Sequence, residues 1–117
     1  MSRATNAPAS RKRRRTRTRM ARGFRANRKL FRKANEAVDR AMVMATVHRK
    51  LRKRDYRSLW IVRINAAVRA QGMTYSRFTE GLTKAGVTLN RKSLSEIAIA
   101  DPEAFSQLVE QAKAALG

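Results

Sequence analysis

Residues Arg11 to Arg22 read RKRRRTRTRMAR, and eight of the twelve are cationic: Arg11, Lys12, Arg13, Arg14, Arg15, Arg17, Arg19 and Arg22. None is acidic. The chemistry open to such a set is the binding of a polyanion. A guanidinium group is a planar fork that holds phosphate through two parallel bonds and lies flat on a nucleobase, whereas an ammonium group is a point charge. Set on a helix at about 100° per residue, these charges fall on every side. A protein lying on a nucleic-acid surface needs only a one-sided stripe; charge all round suits a segment with phosphate on several sides. A solvated, disordered tail that takes any anion fits the composition equally well.

Further cations follow in three groups. Arg25, Arg28, Lys29 and Arg32 are spaced i, i+3, i+4, i+7 and are expected to share one helix face. Arg49, Lys50, Arg52, Lys53, Arg54 and Arg57 crowd the stretch HRKLRKRDYR, from His48 to Arg57, again with charge all round. Tyr56 within it is suited either to stack on a base or to sit at the edge of a core. Arg63 and Arg69 interrupt an otherwise apolar stretch with Asn65 between them, and Arg77, Arg91 and Lys92 fall near expected helix starts, where free backbone N–H groups also favour phosphate. The alternative for these last arginines is capping or ion pairing inside the domain.

Catalytic chemistry finds no constellation. His48 is the single histidine and has no nucleophile or metal-ligand set beside it, so a polar contact is expected of it. Asp101, Glu103 and Glu110 read as helix-end and surface charges rather than an acid/base pair. With no cysteine and one histidine, neither a disulfide framework nor a thiolate or His-rich metal centre is available. No cofactor and no small-molecule substrate are expected. No apolar run approaches the roughly 20 residues that span a bilayer, and no signal-peptide core follows the basic start. Residues 1–35 are rich in Arg, Ser, Thr and Ala without an acid, as organelle-targeting segments are, but the same charge density continues to Arg57.

The elements that must carry these cations divide unevenly. Residues 1–57 hold 21 Lys/Arg against 3 Asp/Glu, a net of +18, and residues 58–117 hold 7 against 5, a net of +2. Self-repulsion opposes compaction of the first part without a polyanion. The expectation is therefore a basic extension over 1–57, with 1–22 disordered when free, and a compact helical domain over 58–117. MSRATNAPAS, residues 1–10, reads as a disordered lead-in. Residues 24–71 contain no Gly or Pro and are dominated by good helix formers, so one long helix of about 72 Å is expected there. Leu30, Phe31, Ala34, Val38, Ala41 and Ala45 lie opposite its cations, to pack on the chain's own helices or on a neighbouring macromolecule.

Beyond Ser58, Trp60, Ile61, Ile64, Ala67 and Val68 repeat at spacings of three and four and mark a core-facing stripe. Gly72 is a natural stop. A short helix opened by Thr74 or Ser76 should turn Phe78, Leu82 and Ala85 inward and close at Gly86. Asn90 is placed to cap a helix to about Ala100 with Leu94 and Ile97 inward, and Asp101-Pro102-Glu103 spells another helix start. Phe105, Leu108, Val109 and Ala112 share one face of that helix. The fold class is all-α, with three short helices packed on the end of the long one.

From Arg54 to Phe105 the chain closely resembles the bacterial large-ribosomal-subunit proteins of the L-twenty family. LWIVRINAA (Leu59 to Ala67), YSRF (Tyr75 to Phe78), GLTKAGV (Gly81 to Val87) and LNRKSL (Leu89 to Leu94) carry the match, and ARGFRANRKLFRKA (Ala21 to Ala34) extends it more loosely. The resemblance implies a long basic helical extension leading into a small all-α domain. It implies direct binding of large-subunit ribosomal RNA by the cations above, a part in early subunit assembly, and in some bacteria repression of their own messenger. Its implied partners are that RNA and neighbouring large-subunit proteins, the latter met through Leu30, Phe31, Ala34 and Val38. There are departures. Met44 and Thr46 stand where the family usually has tyrosines, and Phe24 is alone where aromatics often follow the first glycine, which means fewer stacks and more plain charge. Residues 1–10 have no clear counterpart.

Two other classes compete. A nucleoid-type architectural DNA-binding protein would share the charge and the helices, although the GVTLN loop is longer than the tight turn of a helix-turn-helix. A membrane-active cationic helix needs a continuous apolar face, which residues 11–22 lack. The expected place is the bacterial cytoplasm, on the ribosome, with an organelle version of the family left open.

Overall fold

The computed structural model describes residues 6–25 and 28–117. Those residues form five helices: α1 Ala7–Met20, α2 Phe31–Ala70, α3 Tyr75–Lys84, α4 Arg91–Ala100 and α5 Pro102–Leu116. No strand occurs among the described residues, in keeping with the all-α expectation. The chain divides into two units, one ending at Lys50 and the other beginning at Leu51. The change of composition at Ser58 thus falls inside the second unit.

The second unit is built around the last turns of α2. Ile64 and Val68 are fully buried there, with Phe78 and Leu82 of α3, Leu94 of α4 and Phe105, Val109 and Ala112 of α5. The Phe78 and Phe105 rings meet at 5.5 Å between centroids, tilted by 46°. These are the stripes anticipated from the i, i+3, i+4 spacing, except that Trp60 and Ile61, expected in the core-facing stripe, are only half-buried and lie outside this cluster. Ala85 is exposed, because the helix ends at Lys84 and the chain has begun to turn away.

Two helix ends in this unit close by the same device. Gly72 (φ 75°) donates to the Arg69 carbonyl and Met73 to that of Val68; Gly86 (φ 73°) donates to Thr83 and Val87 to Leu82. Only a residue without Cβ enters that left-handed conformation at little cost, and Met73 and Val87 then drop onto the core. The starts of α4 and α5 are capped as expected, whereas Thr74 precedes α3 without a side-chain cap. Asn90 Oδ1 accepts from the Ser93 N–H (2.9 Å) and Asp101 Oδ1 from the Ala104 N–H (3.0 Å), each worth about 1 kcal/mol. Gly81 serves by its lack of a side chain, since a Cβ there would lie 2.8 Å from the Ala112 Cβ and closer still to the Ala112 carbonyl oxygen. α3 and α5 therefore approach at backbone distance.

The first unit departs from expectation in two places. Residues 6–10 were to be an irregular lead-in, yet α1 starts at Ala7, with Pro8 in the first turn where its missing N–H costs nothing; residues 1–5 lie outside the described residues. The long helix was to begin at Phe24 but begins at Phe31. Its expected stretch at residues 26–27 lies outside the described residues, and Arg28 to Leu30 form a turn. Gly23 takes φ 87°, Phe24 donates its N–H to the Ala21 carbonyl, and its ring packs on a small cluster of Ala21, Ala34 and Val38.

Candidate nucleic-acid interface

The arm's cations sit where a helix puts them. Arg11, Lys12, Arg13, Arg14, Arg15, Arg17 and Arg19 lie on α1, none of whose residues is buried. No acid stands in its first turn, and the Asn6 side chain makes no cap. Little inside α1 therefore stabilises it beyond its own backbone bonds, and 14 residues are marginal for a helix alone. Two contacts hold it to the start of α2. Arg17 Nη1 donates to Asp39 Oδ1 at 3.1 Å, and the Arg14 guanidinium lies 5.6 Å above the Phe31 ring. Both are exposed, so each contributes no more than about 1 kcal/mol.

The expected helical face of Arg25, Arg28, Lys29 and Arg32 does not form, because only Arg32 is inside α2. Folding achieves a different gathering. Arg15, Arg19 and Arg22 meet Arg28 and Lys29 around one concave surface that also includes Thr18 and Gly23. Five cations around a hollow suit a phosphate, or two successive phosphates of one strand. Sequence spacing could not foresee this grouping, since it depends on the turn at Gly23.

Along α2, Arg49, Lys50, Arg52, Lys53, Arg54 and Arg57 are all exposed. Arg49 also donates to the Thr46 hydroxyl at 3.2 Å. Arg40 and Lys33, which the sequence reading passed over, are equally exposed, and both line a hollow beside Phe24. Their only signal in the sequence was charge of the same kind. His48 is exposed as well.

In the compact unit the internal alternative claims part of the set. Arg69 Nε donates to Asn65 Oδ1 at 3.1 Å, so this pair is tied together one turn apart. Arg77 Nη1 and Lys84 Nζ both bond to the Glu80 carboxylate, at 3.1 and 3.0 Å. Lys84 first and Arg77 second hold that carboxyl below its ordinary range. Arg91 Nε donates to the Tyr75 hydroxyl at 2.9 Å, joining the starts of α3 and α4. Arg63 and Lys92 are exposed. Lys113 Nζ caps α2 by donating to the Gln71 carbonyl.

The apolar residues expected to meet neighbouring proteins separate into two pairs. Ala34 and Val38 are 1% and 3% exposed, covered by Ala21 and Phe24 of the same chain, and so have no surface to offer. Leu30 and Phe31 remain exposed.

A family profile described as ribosomal protein L20 matches residues 3–108. The chain belongs to the ribosomal protein L20 family. It is 56% identical over 114 residues to the large ribosomal subunit protein bL20 of Methylacidiphilum infernorum (isolate V4), covering 97% of this chain and 95% of that one. The bL20 proteins of Clostridium tetani (strain Massachusetts / E88) and Thermoanaerobacter pseudethanolicus (strain ATCC 33223 / 39E) are each 54% identical over 114 residues, 97% of this chain and 96% of theirs. L20 membership thus extends well beyond the stretch whose motifs suggested it. It reaches through the basic extension as well.

Proposed function

We propose that this protein is a structural component of the large ribosomal subunit that binds large-subunit ribosomal RNA directly and helps the subunit assemble early. It is not an enzyme. The observation that carries the reading is the L20 match across both the basic extension and the helical domain. The physical layout supports it. RNA helices repel each other when packed, and arginine-rich chain between them neutralises phosphate and releases counterions. The extension, with its exposed cations on α1 and α2, takes that role, and α1 gains its full order on contact with RNA. The compact domain, through the exposed Arg63 and Lys92, recognises the shape of one RNA site, with Arg69 and Arg91 bonded inside the domain. Leu30 and Phe31 stay available for a neighbouring subunit protein. Nothing in the family match favours the chromosomal reading.

The test is a competition assay with the full chain and labelled large-subunit ribosomal RNA, against unrelated structured RNA and duplex DNA, over a salt series. Ribosomal RNA should hold against both competitors, with affinity falling steeply in salt, by about 0.7–0.9 log units per tenfold salt for each phosphate neutralised. Equal displacement by duplex DNA would reopen the chromosomal alternative.

A further inference from the structure

We propose that Tyr56 and Trp60 form a stacking seat for one unpaired nucleobase of the bound RNA, with the neighbouring phosphates held by Arg52, Lys53 and Arg57. The proposal rests on the ribosomal-RNA reading above and assigns a specificity element within it. Both aromatic residues lie on α2, in the unit that begins at Leu51. They are one turn apart, and their rings stack with centroids 6.2 Å apart and planes within 28°. Neither ring joins the buried core of that unit. Tyr56 is 50% exposed, and Trp60 keeps part of its surface in solvent. Arg52, Lys53, Arg54, Tyr56, Arg57 and Trp60 line one shallow concavity.

The occupant follows from the two chemistries present. Four cations around the hollow call for an anion, and a flat aromatic floor calls for a flat partner. A carboxylate peptide or a lipid headgroup answers the charge but leaves the rings uncovered. A nucleotide answers both, since its base stacks on the ring while its phosphates reach the cations. The faces of paired bases are hidden in the helix stack, so the base must be unpaired. Helical spacing sets Tyr56 and Trp60 on one side with Arg52 and Lys53 one turn earlier, which gives the strand a direction to run along α2.

Trp60 is the only tryptophan, so the chain carries its own reporter at the site. The full chain would be titrated with large-subunit ribosomal RNA and, separately, with a perfect RNA duplex of similar length. Ribosomal RNA should quench and shift the Trp60 emission; the duplex should bind through charge without doing so. Tyr56→Leu should weaken binding of ribosomal RNA about tenfold and reduce the quench, while Tyr56→Phe should retain both. A thermal melt by circular dichroism establishes that Tyr56→Leu folds, which an exposed site predicts. Tight ribosomal-RNA binding with unchanged emission would overturn the seat and leave the ribosomal reading standing. So would equal quenching by the duplex, or wild-type affinity in Tyr56→Leu. Loss of preference for ribosomal RNA over duplex DNA in the wild-type chain would instead remove the functional reading, and the seat with it.

Discussion

The unit ending at Lys50 and the unit beginning at Leu51 obey opposite physics. The first holds 17 Lys/Arg against 2 Asp/Glu, net +15, and among its described residues only Ala21, Ala34 and Val38 are buried hydrophobics. The second holds 11 against 6, net +5, and encloses eight buried hydrophobics from four helical segments. Burying one aliphatic or aromatic side chain fully contributes about 1.5–3 kcal/mol, so the second unit has far more apolar burial than the first to set against its chain entropy. Two alanines and a valine cannot do the same for a segment that also repels itself. The lesson is one of dependence. The compact unit carries its stabilising partner inside the chain, and the basic unit waits for one outside it.

The largest effect should come from removing the centre of the compact core. Phe105→Ala should cost about 3–5 kcal/mol in urea denaturation, enough to unfold much of a small domain. Phe24→Ala, at the half-covered edge of the small cluster, should cost well under half of that, and an equal cost would break the contrast between the units. Replacing Arg13, Arg14, Arg15 and Arg19 together by Gln tests the basic side. Affinity for ribosomal RNA should drop roughly a hundredfold at moderate salt, and the log–log salt slope should become shallower by about 3, while the denaturation midpoint of the compact unit stays put. An unchanged slope would mean that α1 does not lie on phosphate.

Gly81→Ala comes next. The added methyl meets Ala112 of α5 at backbone distance, so a loss of about 1–3 kcal/mol is expected in the same denaturation assay. A neutral result would mean that α3 and α5 part easily.

The smallest effect concerns Glu80. Lys84 and Arg77 depress its carboxyl in the folded state, so its contribution is present above the ordinary glutamate range and is lost as pH falls through the lowered value. The melting temperatures of wild type and Glu80→Gln should therefore differ slightly at neutral pH and converge as the pH falls below the ordinary glutamate range and through the lowered value. A gap that widens in acid would reverse the assignment. The site is open to solvent, so salt should also shrink the difference.

Much of the compact unit was legible in the chain itself. The period of Ile64, Val68, Phe78, Leu82, Phe105 and Val109, the stops at Gly72 and Gly86, and the caps at Asn90 and Asp101 are local rules, and the folded helices obey them. The polyanion partner was legible too, because charge adds up whatever the fold. What could not be read were contacts joining residues far apart in sequence. Gly81 is unremarkable until Ala112 lies against it. Arg28 and Lys29 share a helix face on paper and a hollow with Arg15, Arg19 and Arg22 in space. Ala34 and Val38 passed for a free surface until Phe24 covered them.

Local rules depend on backbone geometry and on neighbours within a turn or two, so composition and spacing suffice to determine the helices, their ends and the sign of the partner. Whether a given arginine faces RNA or an internal acceptor is decided by which distant groups the fold delivers to it. Arg69 finds Asn65 within its own helix, whereas Arg91 finds the Tyr75 hydroxyl only because the loop between α3 and α4 folds back. That choice is tertiary because a guanidinium bonds whichever acceptor reaches it first, and chain spacing does not say which one that is.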